Sequence, residues 1–220
     1  MRNRRNACPA FFLLALLVAG CGGGQQAEAP KAPAEPETPP DVYTVKFETS
    51  KGDFTIEVHR EWAPLGADQF HYLVRQGFYD GSRFFRVVRG FVVQFGVNGD
   101  PKLQSLYGQM KIRDDPVVQS NKTGFVSFAK LGPNSRTTQV FINLRDNTSL
   151  DKEGFAPFGQ VVEGMNNVER LWSSYGEMAP RGSGPDPTRI ETEGEPYLVR
   201  EFPRLDKILH ARVQPVANPI

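Results

Sequence analysis

Apolar and polar residues alternate along Tyr43-Thr44-Val45-Lys46-Phe47-Glu48-Thr49 and again along Phe54-Thr55-Ile56-Glu57-Val58, with the turn formers Ser50-Lys51-Gly52-Asp53 between them. A period of two on both sides of a short polar break predicts a β-hairpin with one buried face. The period then lengthens. Between Pro64 and Gln76, Phe70, Leu73 and Val74 share one helical face, Pro64 suits the first turn and Gly77 is placed to end the helix. From Ser82 to Asp100 the chain packs Phe84, Phe85, Val87, Val88, Phe91, Val92, Val93 and Phe95 into a short span. Such β-branched and aromatic density, closed by Gly96 and Gly99, predicts strand, turn, strand. Asp100 to Asp115 has few periodic signals and is expected to be a long loop. Strands are expected over Thr123–Ala129, Val140–Leu144 and Phe158–Val162, with a polar Gly-Pro-Asn loop over Lys130–Thr138. Gly164 to Trp172, with Met165, Val168, Leu171 and Trp172 on one side, predicts a second, short helix. Tyr175–Thr192 is rich in Gly and Pro and predicts a loop. Tyr197–Val213 is the candidate closing strand, interrupted at Pro203. Many short strands with two helices far apart predict a mainly β fold, a closed antiparallel barrel.

The ends of the chain read differently. Arg2, Arg4 and Arg5 precede an apolar run over Ala10–Ala19, which has the length of a signal-peptide core and falls short of the ~18 apolar residues of a membrane span. Val18-Ala19-Gly20-Cys21 resembles the bacterial lipobox. The expectation is a lipoprotein signal peptide over residues 1–20, a lipidated Cys21, and export to a lipid-anchored position on a bacterial membrane, with the domain facing the periplasm or the cell exterior. More than one acyl chain at Cys21 would hold the protein stably, whereas one alone is marginal. Gly22–Asp41 contains Gly, Gln, Ala, Glu and Pro and no large apolar residue, so residues 21–41 are a linker unable to fold. The folded domain is expected over 42–213 and a frayed tail over 214–220.

Composition narrows the chemistry. The chain of 220 residues carries a formal charge of +1. Three of its arginines lie in residues 1–20, which hold no acid, so the remainder is close to neutral. That argues against nucleic acid as a partner. The two cysteines, Cys8 and Cys21, lie ahead of the domain, which therefore has no disulfide or thiolate metal site. His59, His71 and His210 are scattered, with no metal-ligand spacing. Asn121-Lys122-Thr123 and Asn147-Thr148-Ser149 match glycosylation acceptors, a coincidence in a bacterial lipoprotein. One residue stands out in the apolar stretch: Arg86, flanked by Phe85 and Val87. Its guanidinium either snorkels to solvent or is held at the edge of an apolar pocket.

The run Phe84-Phe85-Arg86-Val87-Val88-Arg89-Gly90-Phe91-Val92-Val93-Gln94 resembles the signature segment of the cyclophilin-type peptidyl-prolyl isomerases. Gly124-Phe125-Val126-Ser127-Phe128-Ala129-Lys130, Gly132-Pro133-Asn134-Ser135 and Thr138-Gln139-Val140-Phe141-Ile142 resemble a second family segment. Leu150-Asp151 with Phe158-Gly159-Gln160-Val161-Val162-Glu163-Gly164-Met165 resemble a third. The resemblance spans about Val42 to Val213. It implies an eight-stranded antiparallel barrel capped by two α-helices, no cofactor or metal, a monomer, and proline-containing polypeptides outside the cytoplasm as partners. Residue by residue, it implies that Arg86 is catalytic. It further implies that Phe91, Val92, Phe141 and Leu150 wall a proline pocket, that Gln94 orients the arginine, that Ala129 and Lys130 align the peptide, and that Gln139 lines the floor. Phe155 stands near the place of a family His or Tyr and completes the substrate-binding set.

The chain departs from the family in places. Phe95 stands where Gly commonly follows the glutamine, Lys130 replaces a common Asn, and Ser149 occupies the place of a Trp in many members. Loss of that indole implies weak cyclosporin binding. The expected function is acceleration of X-Pro rotation in exported proteins, without a covalent intermediate. Two alternatives stay open: a non-catalytic peptide-binding module or holdase using the same groove, and a tethered structural protein with the groove unused.

Overall fold

A computed structural model describes residues 38–215. The expected signal segment, the lipidated Cys21, most of the linker and the end of the tail lie outside the described residues.

The hairpin forms as its alternation requires. Strands β1 (Val42–Thr49) and β2 (Phe54–His59) pair antiparallel with Phe47 opposite Phe54. Their rings stack at 4.8 Å, and every second residue is buried. Helix α1 (Pro64–Arg75) follows. Its N-cap, Ala63, has no side chain to offer the free amides of the first turn. The Asp115 carboxylate takes that place, accepting from Leu65 N at 3.1 Å and Gly66 N at 2.9 Å.

The Phe/Val-rich stretch becomes β3 (Arg86–Val88) and β4 (Val92–Phe95), paired so that Arg86 lies opposite Gln94. Gly96 ends β4 with a φ of +99°; a Cβ there would meet Thr138 O at 2.4 Å, so only glycine lets the two backbones approach. Next come α2 (Pro101–Tyr107), β5 (Phe125–Phe128), β6 (Val140–Asn143) and α3 (Ser149–Lys152). The chain continues through β7 (Pro157–Glu163), α4 (Met165–Glu169), α5 (Pro187–Glu193), α6 (Glu195–Glu201) and β8 (Ile208–Val213).

Among the described residues, eight strands join one antiparallel sheet in the order β3-β4-β6-β5-β7-β2-β1-β8. The series of ladders is open. Between its outer strands there is an isolated bridge, Arg83 with Lys207, where Phe84 N donates to Asp206 O and Ile208 N to Ser82 O. The concave face, covered by α1, holds a core dominated by aromatic rings: Phe47, Phe54, Phe70, Tyr79, Phe84, Phe95, Phe128 and Phe158 are all essentially inaccessible. Phe95, the departure after Gln94, is one of them; its ring meets Phe47, Tyr79 and Phe84 edge-on.

Three expectations need correction. Asp100–Asp115 is not all loop: Asp100 caps α2, its carboxylate accepting from Lys102 N at 2.8 Å, with Pro101 at the first helical position. Likewise Tyr175–Thr192 contains the start of α5, capped by Asp186 ahead of Pro187. Finally, Tyr197–Val213 is not one interrupted strand. Its first part is α6, and the strand begins only at Ile208, because Tyr197 and Leu198 are buried by a helical turn in a second apolar cluster. The expected second helix exists as α4 but has only five residues, and among the described residues four further short helices accompany it and α1.

Candidate active site

On the outer side of β4 and β6, alternation places Val92 and Phe141 away from the aromatic core. They form a separate apolar cluster with Leu150 of α3, against which Phe91, Ala129 and Phe155 pack. Phe155 meets Phe141 edge-on at 5.6 Å between ring centroids. These side chains line a shallow cleft of about 190 Å³, smaller than the usual site for a drug-sized ligand and suited to a single small ring. Arg86, Gln94, Lys130, Glu153 and Arg181 complete its rim. The cleft thus brings together Arg86, Phe91, Val92, Gln94, Ala129, Lys130, Phe141, Leu150 and Phe155. Gln139 stands just behind, in an adjoining recess shared with Gln94, Ala129 and Lys130.

Arg86 does not snorkel. Its side chain is only 14% exposed and its guanidinium carbon lies 5.5 Å from the centre of the Phe91 ring. Nη1 donates to Gln94 Oε1 at 2.9 Å, and Gln94 Nε2 donates in turn to Gln139 Oε1 at 2.9 Å. The other edge faces Glu177: Nη2 donates to Oε2 at 2.7 Å, and Nε stands 2.7 Å from Oε1. Burial pushes the Glu177 carboxyl up, but the hydrogen bond and charge of Arg86 outweigh this and hold it below the usual glutamate range. Lys130 is also held: Nζ is 3.0 Å from Asp114 Oδ2 and lies over the Phe155 ring. Asp114 is kept ionised by the Asn134 amide, Lys130 and Arg136, against the opposing effect of its burial.

Beneath the cleft lies a buried polar network that fixes its walls. Asn121, with no exposed surface, donates from Nδ2 to Asp151 Oδ1 and Phe155 O, both at 2.8 Å. Its Oδ1 accepts from Ser127 Oγ at 2.9 Å and Asn143 Nδ2 at 3.2 Å. Asn147 Nδ2 donates to Phe91 O at 2.9 Å and to Asn143 Oδ1 at 2.8 Å. Both glycosylation-like asparagines are therefore interior supports; Asn147 is 4% exposed.

Sequence reasoning missed Glu177, Arg181 and Glu153, and it missed this network. Glu177 is 91 positions from Arg86 in a segment without periodicity, so no local signal joins them. The asparagines carried a signal, polar residues flanking apolar strands, but one shared with any turn. Among the described residues, no group of three His, Cys, Asp or Glu side chains could hold a metal ion.

The cyclophilin type peptidyl-prolyl cis-trans isomerase family model matches residues 44–191. Peptidyl-prolyl cis-trans isomerase CYP18-2 of Arabidopsis thaliana is 38% identical over 148 residues, covering 64% of this chain and 85% of that protein. Peptidyl-prolyl cis-trans isomerase-like 1 of Rhizopus delemar is 35% identical over 134 residues, covering 58% and 78%. A crystal structure of a Cryptosporidium parvum cyclophilin type peptidyl-prolyl cis-trans isomerase superposes with a TM-score of 0.58 at 20% identity. It covers 81% of this chain and 99% of that one. The same Cryptosporidium protein, solved in the presence of the dipeptide Ala-Pro, gives a TM-score of 0.57 at 19% identity. With the match extending from β1 to α5 and the expected cleft residues assembled around one guanidinium, the chain belongs to the cyclophilin-type peptidyl-prolyl cis-trans isomerase family.

Proposed function

We propose that this chain accelerates rotation about X-Pro bonds of exported proteins through Arg86, acting as a monomer tethered by lipid at Cys21. The observation that carries the catalytic part is the Arg86 head group at the mouth of the cleft walled by Phe91, Val92, Phe141 and Leu150. X-Pro rotation faces a barrier of ~18–20 kcal/mol and takes tens of seconds or more unaided. Turnover at ~10 s⁻¹ needs roughly a thousandfold gain, or ~4 kcal/mol. No bond forms or breaks. An apolar cleft that grips the proline ring dehydrates the amide, which costs the planar, polar form more than the twisted one. A fixed charged donor then stabilises the twisted amide, and a charged hydrogen bond contributes about 1.5–3 kcal/mol. Arginine keeps that charge at any working pH. The two together reach the required magnitude.

Export and anchoring rest on the basic and apolar pattern of residues 1–20 and the lipobox-like Val18-Ala19-Gly20-Cys21. Mass spectrometry of the mature amino terminus tests them; an unmodified Cys21 in membrane extracts rejects the anchor. The Arg83–Lys207 bridge supports reading the sheet as a barrel closed along that seam. Cyclosporin should bind weakly, since exposed Ser149 stands where an indole would flank the cleft.

The decisive experiment is the isomerisation rate of a Pro-containing peptide with wild type against Arg86→Ala. A loss of roughly tenfold or more is expected. Equal rates reject catalysis by Arg86, and peptide binding without activity in either protein selects the holdase.

A further inference from the structure

The segment following α4 is not a passive extension. Phe85, immediately before Arg86, and Val97, just past β4, form the sheet's share of the second apolar cluster. Ile190 of α5, Tyr197 and Leu198 of α6, and Phe202 and Leu205 just beyond it supply the rest, and Tyr175 and Met178 pack against it. The cluster is tied to the sheet by Arg83, which forms an ion pair with Glu195 and donates from Nη1 to Leu205 O at 3.0 Å. It is tied also by Glu195 N, which donates to Gly99 O at 2.8 Å.

Glu177 is carried between the two anchors Tyr175 and Met178. Its own backbone is held by Gly184 N donating to Glu177 O at 2.8 Å, and the loop closes through Gly182 N to Met178 O. A Cβ at Gly182 would meet Glu177 O at 2.3 Å, so the loop packs that tightly around this one carbonyl. The carboxylate is aimed as well: Oε1 accepts from Met178 N at 3.0 Å, and Oε2 accepts from Arg86 Nη2. The Arg86 Nε–H is not directed at a partner, so the pairing runs through Nη2 and through charge.

We propose that Glu177 is a positioning residue for the isomerisation: it acts with Gln94 to hold the Arg86 guanidinium in the orientation that meets the amide. The proposal rests on the catalytic role of Arg86 given above. Gln94 alone fixes Nη1 and leaves the plane free to turn about that contact. A second anchor at Nη2 fixes the plane. Of the four hydrogens on Nη1 and Nη2, one on each nitrogen stays free for substrate. A free arginine would lose its rotamer freedom on meeting the twisting amide in the transition state; one held beforehand has already lost it.

The test compares wild type, Glu177→Ala and Glu177→Gln in the full chain. Glu177→Ala is expected to lower kcat/KM about tenfold, the size of one charged hydrogen bond. The loss should fall in kcat, with affinity for a Pro-containing peptide within about twofold. Glu177→Gln keeps an acceptor for Nη2 and should stay within about threefold of wild type. Independently of turnover, ¹⁵N relaxation of the Arg86 Nε should show an order parameter near ~0.85 in wild type and below ~0.6 in Glu177→Ala. An Arg86 equally ordered in both proteins, or a Glu177→Ala variant as fast as wild type or faster, overturns the proposal. Absence of isomerisation in wild type with Arg86 still ordered by Glu177 overturns the catalytic reading instead. Should Glu177→Ala fail to fold, Glu177→Gln carries the decision, and a loss beyond tenfold with an ordered Arg86 also overturns it.

Discussion

Replacement of Asn121 by Ala tests whether the cleft is held from below. The side chain makes four hydrogen bonds, to Asp151, Phe155 O, Ser127 and Asn143, and has no exposed surface. Asp151 Oδ1 keeps the Asn121 backbone amide at 2.9 Å and Asn143 keeps its bond to Phe125 O, so these two are not orphaned. Phe155 O and Ser127 Oγ lose the partner that Asn121 supplies. Four bonds at ~1 kcal/mol net each, with a further penalty for groups left unpaired in the interior, give a loss of about 4–6 kcal/mol. For a domain of this size that is roughly a 10 °C fall in Tm. Urea titration followed by the fluorescence of Trp62 and Trp172 measures it, the slope m remaining unchanged. The walls supplied by Leu150 and Phe155 depend on this network, whereas Arg86 is held by Gln94 and Glu177. KM should therefore rise roughly threefold or more while kcat stays within about twofold. A stability loss under about 1 kcal/mol, or a fall confined to kcat, would refute the idea that the asparagines set the shape of the cleft.

Other outcomes follow from the same contacts. Asp114, Asp151 and Glu177 all have folded-state pKa values below their ordinary ones, burial raising each and hydrogen-bonded partners outweighing it. Their stabilisation is complete above the unfolded values of about 4 and is lost as pH falls through the lower folded values, so urea midpoints should hold down to pH ~5 and then fall. A decline beginning above pH 6 would contradict this. Since a guanidinium keeps its charge across the working range and no general base is needed, kcat/KM should be flat from pH ~5.5 to 9; a bell-shaped profile would point to a different mechanism. Ser149→Trp should tighten cyclosporin binding by roughly thirtyfold, the ~2 kcal/mol of a well-packed aromatic contact, with isomerisation nearly unchanged; equal inhibition of both proteins would reject the role given to this position.

The hairpin, the first helix and the strand–turn–strand around Arg86 were legible because each is set by near neighbours: alternation, a helical stripe, glycines where the chain must turn. The two helices missed in presumed loops both open on an Asp-Pro pair, Asp100-Pro101 and Asp186-Pro187, a capping signal outweighed by weak periodicity. The cleft residues were legible through the family resemblance and not through spacing, since Phe91, Phe141 and Leu150 taken singly read as core. Alternation even hid their separation: Val92 and Val93 are both buried, one in the cleft cluster and the other in the aromatic core.

From the sequence came most of the strand segments, the one cation set among apolar neighbours and, through the family resemblance, the residues that could serve X-Pro rotation. The tertiary structure alone decided what holds that cation. Gln94 faces Arg86 because of a strand register, and Glu177 arrives from 91 positions away on a loop anchored to a second apolar cluster. The physical reason is that local periodicity records which side of an element is dry, while the pairing of two charges depends on how separate elements pack, and no short stretch of chain encodes that.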